Sequence, residues 1–206
     1  MNEPLNSQQL LIVVSAPSGA GKTTLCDRLL EEHTGIVYSV SCTTRAPRGQ
    51  EQDGRNYFFL TEDEFDERLA AGLFLEHAVV HGHRYGTLKS TIEQAFADDK
   101  SVLMDIDVQG AAQIRGAVES YPDGDPLKAG FVDLFIEPPS MDVLKRRLTE
   151  RAEDRHDEIQ RRLAVAENEM SCRNDYMYRV VNDDIDRAYH ELEKHILDKQ
   201  RGICNG

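Results

Sequence analysis

Positive charge is what this chain has least of. Lysine and arginine number 24 against 37 aspartates and glutamates, a net charge of −13 over 206 residues. A polymeric nucleic-acid partner calls for a broad basic face, so the balance argues against one and requires any anionic ligand to be held by a local cluster. Long apolar runs are missing too. The run at residues 10–14 is far too brief to span a bilayer, and no membrane association is expected. The opening residues, MNEPLNSQQ, lack the basic start and apolar stretch of a signal peptide. Cysteine is sparse: Cys26, Cys42, Cys172 and Cys204 form no CxxC pair, which argues against both a zinc site and a disulfide framework. Reduced thiols and a cytoplasmic location are the expectation. His81 and His83 flank a glycine, but nothing else stands at metal-ligand spacing, so they read as loop histidines.

What is present suits one soluble domain: 40% hydrophobic residues for a core and 30% charged residues for a surface. Residues 10–14 form a continuous apolar run, the mark of a strand buried on both faces of a parallel sheet. A glycine-rich loop follows, then a helical pattern over 23–32 through Leu25, Leu29 and Leu30. Further strands are predicted at 36–41, at 102–104 before the acidic Asp105 and Asp107, at 131–136 and at 179–182. Ser140 is placed to cap a helix through Leu144 and Leu148, and a last helix is predicted over 185–199. This alternation predicts an α/β fold with a parallel sheet covered on both sides. Residues 43–86, rich in Gly, Arg and aromatics with short strands near 57–60 and 74–80, read as an inserted lobe. Residues 121–128 (YPDGDPLK) read as a surface loop, and 147–162 as densely charged, exposed helices.

Ala16-Pro17-Ser18-Gly19-Ala20-Gly21-Lys22-Thr23 nearly matches the phosphate-loop pattern GxxxxGK[ST]. Glycines let backbone N–H groups turn toward phosphate oxygens, and the helix N-terminus adds a favourable dipole. Lys22 can reach β- and γ-phosphates and the Thr23 hydroxyl can ligate Mg²⁺. Ala16 replaces the first glycine, so that position should not demand glycine geometry. Arg45 and Arg48, flanking Pro47, form the compact cationic patch near aromatic groups, and guanidinium forks match phosphate geometry. Asp105 has two readings, a carboxylate acting on Mg²⁺ through water or a cap for the helix at 108–118.

Several segments together resemble guanylate kinases. The stretch from Ser39 to Arg48 (SVSCTTRAPR) is similar to that family's VSxTTRxPR segment, and Glu51, Gly54 and Tyr57 keep the spacing of its ExxGxxYxF motif. Phe74-Leu75-Glu76, Tyr85-Gly86-Thr87, Asp105-Ile106-Asp107-Val108-Gln109-Gly110 and Val181-Asn182-Asp183-Asp184 look like further family motifs in the family's order. Gln50 and Ala152 depart from the pattern, each at a usual glycine.

The resemblance implies a three-layer P-loop NTPase core at 10–42, 87–145 and 163–200, a GMP-binding lobe at 43–86 and a helical lid at 146–162. It implies ATP and GMP as substrates and Mg²⁺ with ATP. ATP would be held by Ala16 to Thr23 with Thr24 and, at the adenine, Asn182. GMP would be held by Ser41, Arg45, Arg48, Glu51, Tyr57, Glu76, Tyr85, Gly86, Thr87, Asp105 and Asp107, with Glu76 and Ser41 reading guanine. Catalysis would fall to Lys22, Arg45 and the lid arginines Arg147, Arg151 and Arg162, while Arg155 and Arg161 read as salt-bridged surface residues. The acceptor is a phosphate whose second pKa is near ~6, so no general base is required. A guanylate kinase-like interaction module without catalysis is the alternative, and that class would be expected to lose the chemistry of Lys22 and Thr23. Oligomeric state stays open, a homo-oligomer included.

Overall fold

A strand buried along its whole length stands at the centre of the molecule. In this computed structural model, which describes residues 8–80, 82–151 and 156–202 apart from the side chains of 150–158, that strand is β1, Leu11–Ser15. The chain continues through α1 (Lys22–Glu32), β2 (Ile36–Tyr38), β3 (Cys42–Thr43), β4 (Phe58–Phe59), α2 (Glu62–Ala70), β5 (Phe74–Val80) and β6 (His83–Leu88). There follow α3 (Lys89–Ala97), β7 (Ser101–Asp105), α4 (Val108–Glu119), α5 (Pro126–Gly130) and β8 (Phe131–Glu137). The last elements are α6 (Met141–Arg151), α7 (His156–Ser171), β9 (Tyr178–Val181) and α8 (Ile185–Gln200).

The central sheet runs β2-β7-β1-β8-β9 and every pair in it is parallel. Parallel neighbours require crossovers, and helices supply them on both faces. Alternate residues of β1 serve opposite layers. Ile12 and Val14 share a core with Leu25 and Leu29 of α1 and Leu192 and Ile196 of α8. Leu11 and Val13 pack with Ile92 of α3 and Ala111 and Ile114 of α4. The result is the three-layer α/β core that the alternation predicted.

A second sheet, β4-β3-β6-β5, is mixed: β3 and β4 run parallel, whereas β6 is antiparallel to both β3 and β5. It has its own small core of Cys42, Phe65 and Phe74, with the two rings stacked at 4.4 Å between centroids. Gln113 of α4 bonds both backbone groups of His77 in β5, at 3.0 and 2.8 Å, fastening this sheet to the central one. Leu144 and Leu148 of α6 pack on Ala166 of α7, a further cluster at the other edge.

Two local expectations need correction. Residues 121–128 are not loop throughout: Asp125 accepts from the Leu127 N–H at 2.8 Å, Pro126 opens α5, and Leu127 is buried. The strand predicted at 36–41 stops at Tyr38, after which the chain leaves the central sheet for the second one. Helices α2 and α3 are additional elements that the sequence pattern did not predict. His81, Ala152, Arg155 and Cys204 lie outside the described residues. Among the described residues no helix is long and apolar enough to cross a membrane.

Candidate functional site

The loop between β1 and α1 turns on two left-handed glycines, Gly19 (φ 89°) and Gly21 (φ 98°). A Cβ on Gly21 would run into the Asn182 amide and meet a left-handed backbone, so glycine is favoured there on two grounds. Ala16 has no positive φ, which explains why alanine serves at the first position of the pattern. Asn182 donates to the Ala20 carbonyl at 2.7 Å, and Arg147 donates to the Asn182 carbonyl at 2.9 Å, so the residue just after β9, itself held by α6, braces the loop from outside. Lys22 reaches across the ends of the strands, donating to the Ile106 carbonyl at 3.1 Å and pairing with Asp105. The loop backbone, Lys22, Thr23, Thr24 and Glu169 line one open cavity. Arg147, Asn182 and Asp183 line its neighbour together with Gly19, Gly21 and Thr24. Backbone N–H groups, an ammonium and a helix N-terminus converging on open space make an anion cradle.

A second cleft opens between the two sheets. Its lining includes Ser41, Tyr57, Glu76, Tyr85, Asp105 and Asp107. Glu76 is 5% exposed and accepts from the Thr87 hydroxyl at 2.7 Å, while Thr87 stands 3.2 Å from Ser41 Oγ. Burial pushes the Glu76 carboxyl up, Asp107 adds to the rise and Thr87 opposes it. A Cβ on Gly110 would stand 3.1 Å from Glu76 Oε2, so a glycine there keeps that oxygen accessible. A buried carboxylate with one oxygen still open is a receptor for a ligand carrying paired N–H donors.

At the other end of this cleft Arg45 is 6% exposed and is held in place by hydrogen bonds to Glu51, Tyr85 and the Ala46 carbonyl. It grips Glu51 through two hydrogen bonds of 3.0 Å each and donates to the Tyr85 hydroxyl at 3.2 Å. Glu51 and Tyr85 hold the guanidinium charged despite its burial. The Tyr57 ring stands edge-on to Tyr85 at 5.9 Å, and the Arg45 guanidinium lies 5.4 Å from its centre.

The fold thus brings Lys22 to Asp105, Arg45 to Glu51, Tyr57 and Tyr85, Ser41 to Thr87 and Glu76, and Arg147 to Asn182. The Arg48 side chain is exposed, and its backbone N–H is tied to Glu51 at 2.7 Å. Gly86 is fixed by packing, since a Cβ there would stand 2.9 Å from the Phe74 ring. Arg162 on α7 is half-buried, and the side chain of Arg151, the last residue of α6, lies outside the described residues. The cap of α4 is Asp107, which accepts from the Gly110 N–H at 2.8 Å, so the capping reading of Asp105 is overturned. Asp105 is still in β7 and spends its carboxylate on Lys22 instead. Sequence reasoning missed Ile106, whose carbonyl receives Lys22, and Tyr38, Asn56 and Glu169, which line the two clefts.

Hard oxygen donors suit magnesium. The Thr23 hydroxyl lines the phosphate-loop cavity, and the Asp105 carboxylate stands beside Lys22 at its edge. Among the described residues no group of three or more His, Cys, Asp or Glu could hold a metal ion. That combination fits an ion that keeps most of its waters and is carried mainly by a ligand's phosphates.

The comparisons with known proteins agree with one another. The family model for guanylate kinase matches residues 8–199. A guanylate kinase of Wolbachia sp. subsp. Brugia malayi (strain TRS) is 46% identical over 197 residues, 96% of this chain and 96% of that one. A guanylate kinase of Clostridium perfringens (strain SM101 / Type A) is 44% identical over 192 residues, 93% of this chain and 84% of the relative. The crystal structure of guanylate kinase from Anaplasma phagocytophilum matches with a TM-score of 0.70 at 32% identity, covering 95% of this chain and 88% of that chain. One family thus matches nearly all of the sequence and nearly all of the fold, and the chain belongs to the guanylate kinase family.

Proposed function

We propose that the protein transfers the γ-phosphoryl group of ATP to GMP, yielding ADP and GDP in the recycling of guanine nucleotides. The observation that carries this reading is the pair of clefts meeting at Lys22 and Asp105, one built for phosphate and one ending in the buried Glu76. ATP is assigned to the phosphate-loop cavity, with Asn182, behind Gly21, towards the adenine. GMP is assigned to the cleft between the sheets, its phosphate toward Arg45, Arg48, Tyr57 and Tyr85 and its base toward Glu76, Ser41 and Thr87. The second sheet then acts as the acceptor lobe, and α6 with the start of α7 as the lid.

The acceptor is a phosphate oxygen, largely deprotonated at neutral pH because the second pKa is near ~6. The side chains therefore orient and neutralise rather than exchange protons. Lys22 holds the migrating phosphoryl group between its two partners. Arg45 fixes the acceptor phosphate, and its own orientation is set by Glu51. Arg147, Arg151 and Arg162 close over the donor, exclude water and so limit wasteful hydrolysis. Magnesium, when bound with ATP, neutralises charge on the phosphates, and Thr23 with Asp105 would hold it. The retained Lys22 and Thr23 tell against a purely scaffolding role. Cys26, Cys42 and Cys172 are unpaired, in keeping with a cytoplasmic location.

The test is coupled ADP release with GMP, AMP, CMP and UMP as acceptors. GMP should exceed each of the others by on the order of 10⁴-fold in kcat/KM, because a wrong base leaves Glu76 unpaired. Equal rates with all four, or ADP release without any acceptor, would contradict the assignment.

A further inference from the structure

The wall of the phosphate-loop cavity contains a group that a site for polyanions would be expected to exclude. Glu169, on the last turn of α7, lines this cavity beside Ser18, Lys22 and Thr23. The residue is half-buried rather than splayed into water. Burial pushes its carboxyl up, Asp107 adds to the rise, and Lys22 and the Ser18 backbone N–H oppose it. Its charge is therefore felt by the groups that would meet the donor's phosphates.

Among the described residues that line this cavity, Lys22 is the cationic side chain. Asp105 already pairs with Lys22, so Glu169 leaves the trio with more negative than positive charge when all are ionised. A carboxylate in this position repels bare phosphate oxygens. It repels them far less once a divalent cation bridges them, because the ion cancels much of their charge. We propose that Glu169 makes the donor cavity selective for the magnesium complex of ATP over free ATP. The proposal rests on the assignment of ATP to this cavity, and Glu169 acts as a specificity-determining residue rather than a catalytic one.

The magnitude follows from Coulomb's law. At an effective dielectric constant of about 20, unit charges several ångströms apart shift binding by at least about tenfold. Calorimetric titration with ATP at pH 8 is the measurement, in excess Mg²⁺ and in EDTA, on the wild type, Glu169→Gln and Glu169→Ala. The Gln variant keeps shape and removes charge; the Ala variant serves if an amide is not tolerated, with circular dichroism reporting the fold of each. Affinity for free ATP should rise at least about tenfold in both variants, while affinity for the magnesium complex changes less than about threefold. An unchanged ratio between the two forms overturns the proposal. So does an equal loss for both, the signature of a carboxylate that only braces the loop through Ser18. Either outcome would leave GMP-dependent ADP release by the wild type intact, whereas loss of that activity would undo the donor assignment itself.

Discussion

Replacing Glu76 by glutamine tests the acceptor cleft at its most specific atom. Guanine presents N1–H and the N2 amino group side by side, two donors that one carboxylate accepts together. Thr87 occupies one lone pair of Oε1 at 2.7 Å, and the absence of a side chain at Gly110 keeps Oε2 open. An amide at this position offers one acceptor and presents N–H where the second acceptor was, so a donor faces a donor. The lost charge-assisted bond is worth about 3 kcal/mol, equivalent to a fall of at least ~10²-fold in kcat/KM for GMP. Thr87 itself can adapt, since Ser41 stands 3.2 Å away and either hydroxyl can donate. AMP should gain relative to GMP, because an amide N–H can serve adenine N1 whereas a carboxylate sets lone pair against lone pair. The assay is kcat/KM for GMP and AMP in wild type and Glu76→Gln, with circular dichroism to establish folding. A variant with wild-type efficiency for GMP and an unchanged GMP/AMP ratio would refute the assignment of Glu76 to the base.

Three more outcomes are expected. Lys22→Ala should stay folded and lose at least ~10²-fold in turnover, as for one preorganised charge donor, and near-normal turnover in a steady-state assay would count against the phosphate cavity. Gly21→Ala should lower stability by about 1–2 kcal/mol or more, because alanine meets a left-handed backbone and displaces Asn182 from Ala20. Its melting temperature should fall by roughly 2–4 °C per kcal/mol in a chain of this size, and a melt identical to wild type would show the loop to be more pliable than its geometry implies. The third concerns pH: the folded carboxyl of Glu76 lies above its ordinary 4.5, so the empty protein holds that proton more tightly than the unfolded chain does. Its contribution to stability is then present below 4.5 and lost as pH rises through the folded value, whereas preference for GMP over AMP strengthens over the same window. Melting curves and binding ratios measured against pH should lose both trends in Glu76→Gln.

The parts of this protein that sequence reveals are those whose physics is local. The run at 10–14 reads as a buried parallel strand because both of its faces are covered, and the phosphate loop reads because strand, glycine turn and helix are contiguous. Helix α2 was legible in principle: Thr61 and Glu64 form a capping box in the structure, and both letters stand in the sequence at the required spacing. Helix α3 carried no such signal, since its N-cap is Leu88, which makes no side-chain cap bond. Asp105 and Asp107 look alike in sequence, yet one ends a strand facing Lys22 and the other opens a helix, a division that only the turn between them decides. Glu169 is the extreme case. Ser18 and Lys22, with which it shares a cavity, lie at the far end of the chain, so no pattern around residue 169 distinguishes it from the other acids of its helix.

The central claim is a direct transfer between two bound nucleotides, and the fate of the γ-phosphate tests it most directly. ATP carrying an isotopic label in that phosphate, incubated with the protein, GMP and Mg²⁺, should deliver the label to the β position of GDP, in step with ADP and with little reaching free phosphate. Label accumulating in inorganic phosphate, or ADP forming at the same rate without GMP, would contradict it.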